Sequence, residues 1–384
     1  MFCFDMDILL IVTGLPDLKE PARSVYNLNY AKELQARGHS VSILYLRALK
    51  PGRQLLRKRS MSTLDITEVS CVVPRCVNVS LFLFKVVKKR RSVKQMARRA
   101  DVIHCVNGNA APFAFLLAKD YKLPYILQFV GSDVNFDFSE NIKYKIYKKS
   151  LSAANYLTFN SHKLYETLSD QYTVSNEWKV IYRGVKLENF PFEFHSLRNE
   201  IRALFIGGFP NNGNLKGGQT LLQSLKLLDS NWSPNYPVMK VFIGGPNSSN
   251  EDYKLKLKNI NISLLGAVPR GEVSSLMKES HIVIIPSLQE GLPNVLYEAM
   301  ASGNLIIGSK VGGIPEFVQH EQTGLLVEAQ REDILYQMLA RALNNRLDIQ
   351  RFAEKARLKI ENHDYGLFID SYLDIYNCIQ KNEI

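Results

Sequence analysis

Residues 279–303 read ESHIVIIPSLQEGLPNVLYEAMASG. Within them HIVIIPS (281–287) is a short apolar run closed by proline, the pattern of a buried strand, and the residues after the loop form a helix with Glu298 inside it. Pro293 suits the first helical position, where a missing N–H costs nothing because that donor has no intrahelical partner. The stretch is therefore one strand–loop–helix unit, with Glu290 in the loop. The same unit recurs on both sides. IRALFIG (201–207), VMKVFIG (238–244) and NLIIGS (304–309) are further apolar runs separated by helical segments.

The first half repeats the pattern with MDILLIVT (6–13), SVSILYL (40–46), ADVIHCV (100–106), PYILQFV (124–130) and YLTFNS (156–161). Between the first two, Val25, Leu28, Ala31 and Leu34 recur at helical spacing and Gly38 closes the run. Strands alternating with helices predict an α/β chain with two doubly wound parallel sheets, each covered by helices. Arg183 to Glu200 contains Gly184 and Pro191 without periodicity and suits a linker. The expected division is residues 1–185, a linker 186–200, and residues 201–384. The final stretch, about 348–384, reads as terminal helices, with Leu367, Tyr372, Ile375 and Ile379 at helical intervals and a possible return to the first domain.

At 384 residues, 46% of them hydrophobic and 22% charged, the chain has the size and composition of two packed globular domains. Five cysteines (Cys3, Cys71, Cys76, Cys105, Cys378) are too few and too scattered for a disulfide framework. Free thiols and a reducing compartment are expected; Cys71 and Cys76 lack the second pair that a zinc site needs. Asp5 and Asp7 precede the first apolar run where a secretory leader is basic, and no run reaches the roughly 20 residues of a membrane span. The expected location is cytoplasmic. Residues 1–185 hold 28 Lys and Arg against 15 Asp and Glu, while 186–384 hold 20 against 22. The first domain is thus expected to meet an anionic surface or acceptor.

Ligands of open α/β sheets bind beyond the carboxyl ends of the strands. Four places there carry unusual residues: Gly14, Gly131-Ser132-Asp133, the glycine-rich stretch ending at Lys216-Gly217, and Glu290 to Glu298. In the last, the amides of Asn294, Val295 and Leu296 at a helix start form a seat for an anion such as a diphosphate. One carboxylate in the loop and another a turn into the helix can accept hydrogen bonds from a sugar and a ribose. A solvated Glu290 and a Glu298 that merely complements the helix dipole are the bland alternative.

The run Glu290-Gly-Leu-Pro-Asn-Val-Leu-Tyr-Glu298 resembles the paired-glutamate motif of glycosyltransferase family four. The resemblance extends over nearly the whole chain. It takes in Gly14, Gly131-Ser132-Asp133, Ile181-Tyr-Arg-Gly-Val, Lys216-Gly217, Val311-Gly-Gly-Ile-Pro-Glu316 and Thr323-Gly-Leu-Leu-Val327. It implies the GT-B fold, two Rossmann-like domains facing a central cleft, and a retaining transferase that needs no metal or other cofactor. The implied donor is a UDP- or GDP-sugar; the implied acceptor is a saccharide or lipid-linked molecule of cell-surface polysaccharide or glycolipid synthesis. By the same resemblance Glu290 contacts the donor sugar, Glu298 the ribose, Lys216 the diphosphate and the Gly14 backbone the phosphates. The expected catalytic set is Glu290, Lys216 and Asp133. The expected donor-binding set is Gly14, Gly208, Gly291, Leu292, Asn294, Val295, Leu296, Glu298 and Val268.

Two departures stand out. Relatives commonly carry an arginine shortly before the lysine, where this chain has Gly208, and often a histidine where it has Val130. Arg270 and Lys310 are candidate replacements for the arginine. Asp133 can position a substrate or cap a helix, and His104 can face the ligand edge or pack in the core. Asp5-Met6-Asp7 has the spacing of a metal-binding pair but lies at the wrong end of its strand. Gly208 to Gly213 begins like a P-loop but is followed by Asn214-Leu215 rather than Lys and Ser or Thr. Lys85 to Arg99 is strongly basic with apolar residues at 86, 87, 93, 96 and 97, the composition of a helix lying on an anionic membrane. It has no interleaved aromatics for stacking bases, so nucleic acid is not expected. The alternatives to a transferase are a sugar-nucleotide epimerase of the same fold and a binding protein that has lost activity.

Overall fold

The computed structural model describes residues 5–16, 24–49, 56–61, 64–72, 90–134, 142–192, 200–209, 215–248 and 255–381. The chain separates into two compact units, Met1–Tyr182 with Phe368–Ile384, and Arg183–Leu367.

The first unit is built on β1 (Asp7–Val12), β2 (Ser40–Leu49), β3 (Leu56–Met61), β4 (Leu64–Val72), β5 (Val102–Val106), β6 (Tyr125–Phe129), β7 (Tyr156–Phe159) and β8 (Glu177–Val180). Their spatial order is β3-β4-β2-β1-β5-β6-β7-β8. Every neighbouring pair is parallel except β3 with β4, which is antiparallel. The central strands β1, β5 and β6 are buried almost throughout, because helices cover both faces of a parallel sheet. The edge strands differ. Strand β3 reads LRKRSM, and β8 is short and largely exposed. Neither is an apolar run.

The second unit carries β9 (Glu200–Ile206), β10 (Val238–Gly244), β11 (Ile260–Gly266), β12 (Ile282–Ile285), β13 (Leu305–Ser309) and β14 (Leu325–Val327). All are parallel, in the order β11-β10-β9-β12-β13-β14. This is the doubly wound order of dinucleotide-binding folds, with the direction of winding reversing between β9 and β12. The loops following those two strands, on either side of the reversal, are where a ligand site belongs.

The helix Tyr365–Gln380 runs from the second unit into the first. Its buried stripe is Phe368, Ile369, Tyr372, Ile375, Tyr376 and Ile379, whereas Leu367 is exposed and lies off it. The Tyr376 hydroxyl lies 2.6 Å from Nδ1 of His104 and 2.8 Å from the Tyr30 hydroxyl, and the Tyr372 hydroxyl 3.0 Å from Oγ1 of Thr158. His104 is accordingly a core residue, wholly buried and ringed by Tyr30, Tyr372 and Tyr376. Burial pushes its pKa down to about 3.

In the basic stretch, the described apolar positions face the protein core. The helix Arg91–Arg99 turns Val93, Met96 and Ala97 into the core, against β1 and the helix Ala111–Tyr121. Those side chains have no free surface to insert into lipid; Arg90, Arg91, Lys94, Arg98 and Arg99 form its polar face. Residues 85–89 lie outside the described residues. Among those described, no helix is long and apolar enough to cross a membrane, and Cys105 and Cys378 are free thiols. Cys3 and Cys76 also lie outside them, as does the side chain of Cys71.

His104 sets an acid dependence of stability. Its folded-state pKa lies below the unfolded value of 6.5, so between pH 6.5 and about 3 the unfolded chain binds a proton that the folded chain does not. Stability of the first unit should fall with acid across that window by roughly 1.4 kcal/mol per pH unit for this one site. Urea unfolding followed through Trp178, in a Trp232→Phe background, should show a shallower pH slope for His104→Gln than for the parent. Equal slopes would remove His104 as the cause.

Candidate active site

Strand β12 delivers the chain to Pro286 and Ser287 beside the winding reversal. Three residues on, the Glu290 carboxylate is fixed by two donors on one oxygen: Lys216 Nζ donates to Oε1 at 2.6 Å and Ser287 Oγ donates to the same atom at 2.8 Å. The Glu290 side chain is 8% exposed and that of Lys216 43%, so a buried anion meets a cation that reaches it from the surface. The two loops are also joined by backbone, Leu288 N donating to Leu215 O at 2.8 Å.

The turn 311–313 holds Glu290 from the other side. Gly313 N donates to Gly291 O at 2.6 Å. At Gly312, where φ is 52°, a Cβ would stand 2.1 Å from the Glu290 carbonyl oxygen. Only glycine combines that left-handed backbone with that approach. This gives a physical reason for the glycines of Val311-Gly-Gly-Ile-Pro-Glu316.

The helix Asn294–Ser302 begins one residue later than expected: Pro293 is its cap, with φ −75° and ψ 135°, and not its first helical residue. The Leu296 amide donates to Pro293 O at 3.1 Å and so does not belong to an anion seat; Asn294 and Val295 supply the first-turn donors. Asn294 Oδ1 accepts from Arg183 Nη1 at 3.1 Å, bringing a nearly buried guanidinium to the helix start. Glu298 is buried and ion-paired with Arg270. Gly291 and Leu292 are buried beside Glu290, and Val268 packs over Gly244.

The absent arginine has a local explanation. Gly208 has φ 64°, and a Cβ there would lie 2.2 Å from the Pro246 carbonyl oxygen. Its own N–H donates to Gly244 O at 3.1 Å. No side chain fits at 208. Of the two candidate replacements, Arg270 is engaged with Glu298, and Lys310 pairs with Glu328 at 2.8 Å on the surface. Residues 210–214, which complete the P-loop-like spacing and most of the loop before Lys216, lie outside the described residues.

In the first unit the Gly14 carbonyl accepts from Asn27 Nδ2 at 2.8 Å, which fixes the loop after β1. Asp133 is placed among backbone amides that tie the loop after β6 to the one after β5. Its buried carboxylate accepts from the amides of Gly108 (2.7 Å), Gly131 (2.6 Å) and Val130 (3.1 and 3.2 Å). Burial raises its pKa and the amides oppose the rise. Those bonds fill most of the roughly four lone-pair sites of a carboxylate and leave little for a substrate.

Three residues at the site, Arg183, Ser287 and Gly312, were not assigned from sequence. The spacing of Ser287 and Glu290 was the available signal for one of them, and Arg183 and Gly312 lie in runs already quoted.

Two parallel-sheet α/β units, the second with a Lys–Glu pair at its winding reversal, have the architecture of GT-B glycosyltransferases, and the comparisons assign the chain to that class. Residues 24–189 match the family model "Glycosyltransferase Family 4", and residues 200–345 match "Glycosyl transferases group 1". The chain belongs to this family of glycosyltransferases. TuaC of Bacillus subtilis, provisionally named a teichuronic acid biosynthesis glycosyltransferase, is 24% identical over 368 residues, covering 88% of this chain and 89% of its own. Sucrose-phosphate synthase of Thermosynechococcus elongatus superposes with a TM-score of 0.73 at 17% identity, covering 98% of this chain and 99% of that one. HepE of Anabaena in complex with UDP-glucose gives 0.70 at 16%, with 97% and 99% covered.

Gly312→Ala should destabilise the second unit by at least about 1–2 kcal/mol, the cost of a left-handed L-residue, because the Glu290 carbonyl must also move. Gly271→Ala, where an added Cβ meets nothing within 4 Å, is the control. Urea midpoints read through Trp232 fluorescence check both; a neutral Gly312→Ala would contradict the packing described.

Proposed function

We propose that the chain is a retaining, metal-independent glycosyltransferase that moves a sugar from a UDP- or GDP-sugar to a saccharide or lipid-linked acceptor. Its product would be a cell-surface polysaccharide or glycolipid. The observation that carries this reading is the Lys216–Glu290 contact at the winding reversal of the second sheet. Sugar transfer from a nucleoside diphosphate builds negative charge on the departing diphosphate. A preorganised cation and helix-start amides stabilise that charge in the transition state more than in the bound donor. Lys216 with the amides of Asn294 and Val295 provides this set, which is why no metal is invoked. Glu290 accepts a hydrogen bond from a donor-sugar hydroxyl through Oε2, and Glu298 accepts from the ribose. Retention of configuration belongs to the same proposal and is supported by the match to family four. The UDP-glucose complex of HepE supports a nucleotide-sugar donor, and the name of TuaC supports an acceptor from polysaccharide synthesis.

The test begins with calorimetric titration of UDP-glucose, UDP-galactose, UDP-N-acetylglucosamine and GDP-mannose. The donor that saturates is then used for transfer, with donor hydrolysis as the acceptor-free readout. Glu290→Ala should lower turnover by at least about a hundredfold, as expected when a transition-state contact is lost, while the nucleoside diphosphate still binds. Parent turnover should survive EDTA, and NMR should find the donor's anomeric configuration in the product. Unchanged turnover in Glu290→Ala would defeat the assignment.

Attachment to an anionic membrane enters the same proposal by charge alone, through Arg91, Lys94, Arg98 and Arg99 on the exposed face of their helix. Each contributes on the order of 1 kcal/mol close to an anionic surface. Co-sedimentation with phosphatidylglycerol vesicles should weaken when these four are changed to Gln, and weaken with salt in the parent. Equal sedimentation of parent and variant would rule this surface out.

A further inference from the structure

We infer that Ser287 is the positioning residue that holds the Glu290 carboxylate in its working orientation while Lys216 turns toward the diphosphate. This rests on the reading of Glu290 as a donor-sugar contact. Ser287 is buried, just beyond the end of β12, and its hydroxyl donates to Glu290 Oε1 at 2.8 Å. Lys216 donates to the same oxygen. Both donors thus converge on Oε1, and no hydrogen bond to Oε2 is found among the described residues. A carboxylate pinned twice on one oxygen presents the other in a fixed direction.

The two donors differ in what happens when an anion arrives. The Lys216 side chain is 43% exposed and carries an ammonium with three donors on a four-carbon stem, so a diphosphate draws it away from Glu290 or shares it. Ser287 carries no charge and has a single side-chain torsion in a buried position, so the diphosphate exerts little pull on it. The main chain supports the same division of labour. Gly312 packs against the Glu290 carbonyl and Gly313 N donates to Gly291 O, and the contact from Leu288 to Leu215 keeps the lysine loop beside the serine loop. Ser287 is therefore the one side-chain contact to Glu290 among the described residues that donor binding does not disturb.

The test uses the full chain and the nucleotide sugar that saturates in the calorimetric panel. Ser287→Ala should lower kcat about tenfold to a hundredfold, the range for a hydrogen bond to a charged group, while the Kd for the nucleoside diphosphate stays within about twofold of the parent's, as for a contact that acts in the transition state. Ser287→Thr keeps a hydroxyl and should recover most of the rate, whereas Ser287→Val, of the same volume, should not. In a Glu290→Gln background Ser287→Ala should add little further loss, because the two residues act as one unit.

A kcat for Ser287→Ala equal to the parent's overturns the inference. So does a loss of nucleotide affinity that matches the loss of rate, or Thr and Val variants of equal rate, since either marks a packing role only. If Ser287→Ala does not fold, the Thr and Val pair decides alone, and if those also fail, Ser287→Cys with its weak donor must fall between the parent and Glu290→Gln. Full turnover in Glu290→Gln sinks the donor-site reading itself. Loss in Glu290→Gln with none in Ser287→Ala sinks only the role of Ser287.

Discussion

The chemistry of the second unit depends on loops that touch where they carry no side chain. Glu290 cannot occupy its place unless the turn at Gly312 comes within contact distance of its carbonyl, and the loop after β9 cannot lie against Pro246 unless residue 208 lacks a Cβ. These approaches cost backbone freedom, which glycine loses more of than any other residue on folding. What they gain is precision. The buried carboxylate is held through main chain and side chain at once, and the cation that meets it comes from a neighbouring loop locked to the first by a backbone hydrogen bond.

The two carboxylates singled out beyond β6 and β12 show how the same residue type serves different ends. Asp133 is surrounded by amides and ties the loop after β6 to the one after β5. Glu290 is met by a hydroxyl and an ammonium on one oxygen, which leaves the other available. Both are acidic residues just past a buried strand, and in the sequence they look alike. The difference lies in where neighbouring amides point, which depends on turns between residues distant along the chain, Gly108 and Asp133 being 25 positions apart.

Most of the sheet architecture was readable because strands buried on both faces must be apolar throughout, as in β1, β5, β12 and β13. The strands that escaped notice break that rule for physical reasons. Basic β3 lies at an edge and β8 is exposed, β4 (LDITEVSCV) is internal but interleaves polar residues, among them Glu68 paired with Arg47, β11 alternates because it too is an edge strand, and β14 spans three residues. The pairing of Glu290 with Lys216 was approached through a family resemblance, since 74 positions separate the partners and no local spacing joins them. The apolar side of the basic helix was not legible, because a periodic apolar stripe looks the same whether it meets lipid or a protein core. Only the packing of Val93, Met96 and Ala97 separates the two.

The first unit takes its last helix from sequence that follows the second unit, with the Tyr376 hydroxyl bonded to His104 and Tyr30. On a ribosome, where N-terminal domains ordinarily fold first, this unit must wait for the entire intervening unit to be made before its aromatic pocket can close. Until then His104, Tyr30 and their apolar surroundings lack the aromatic helix that covers them.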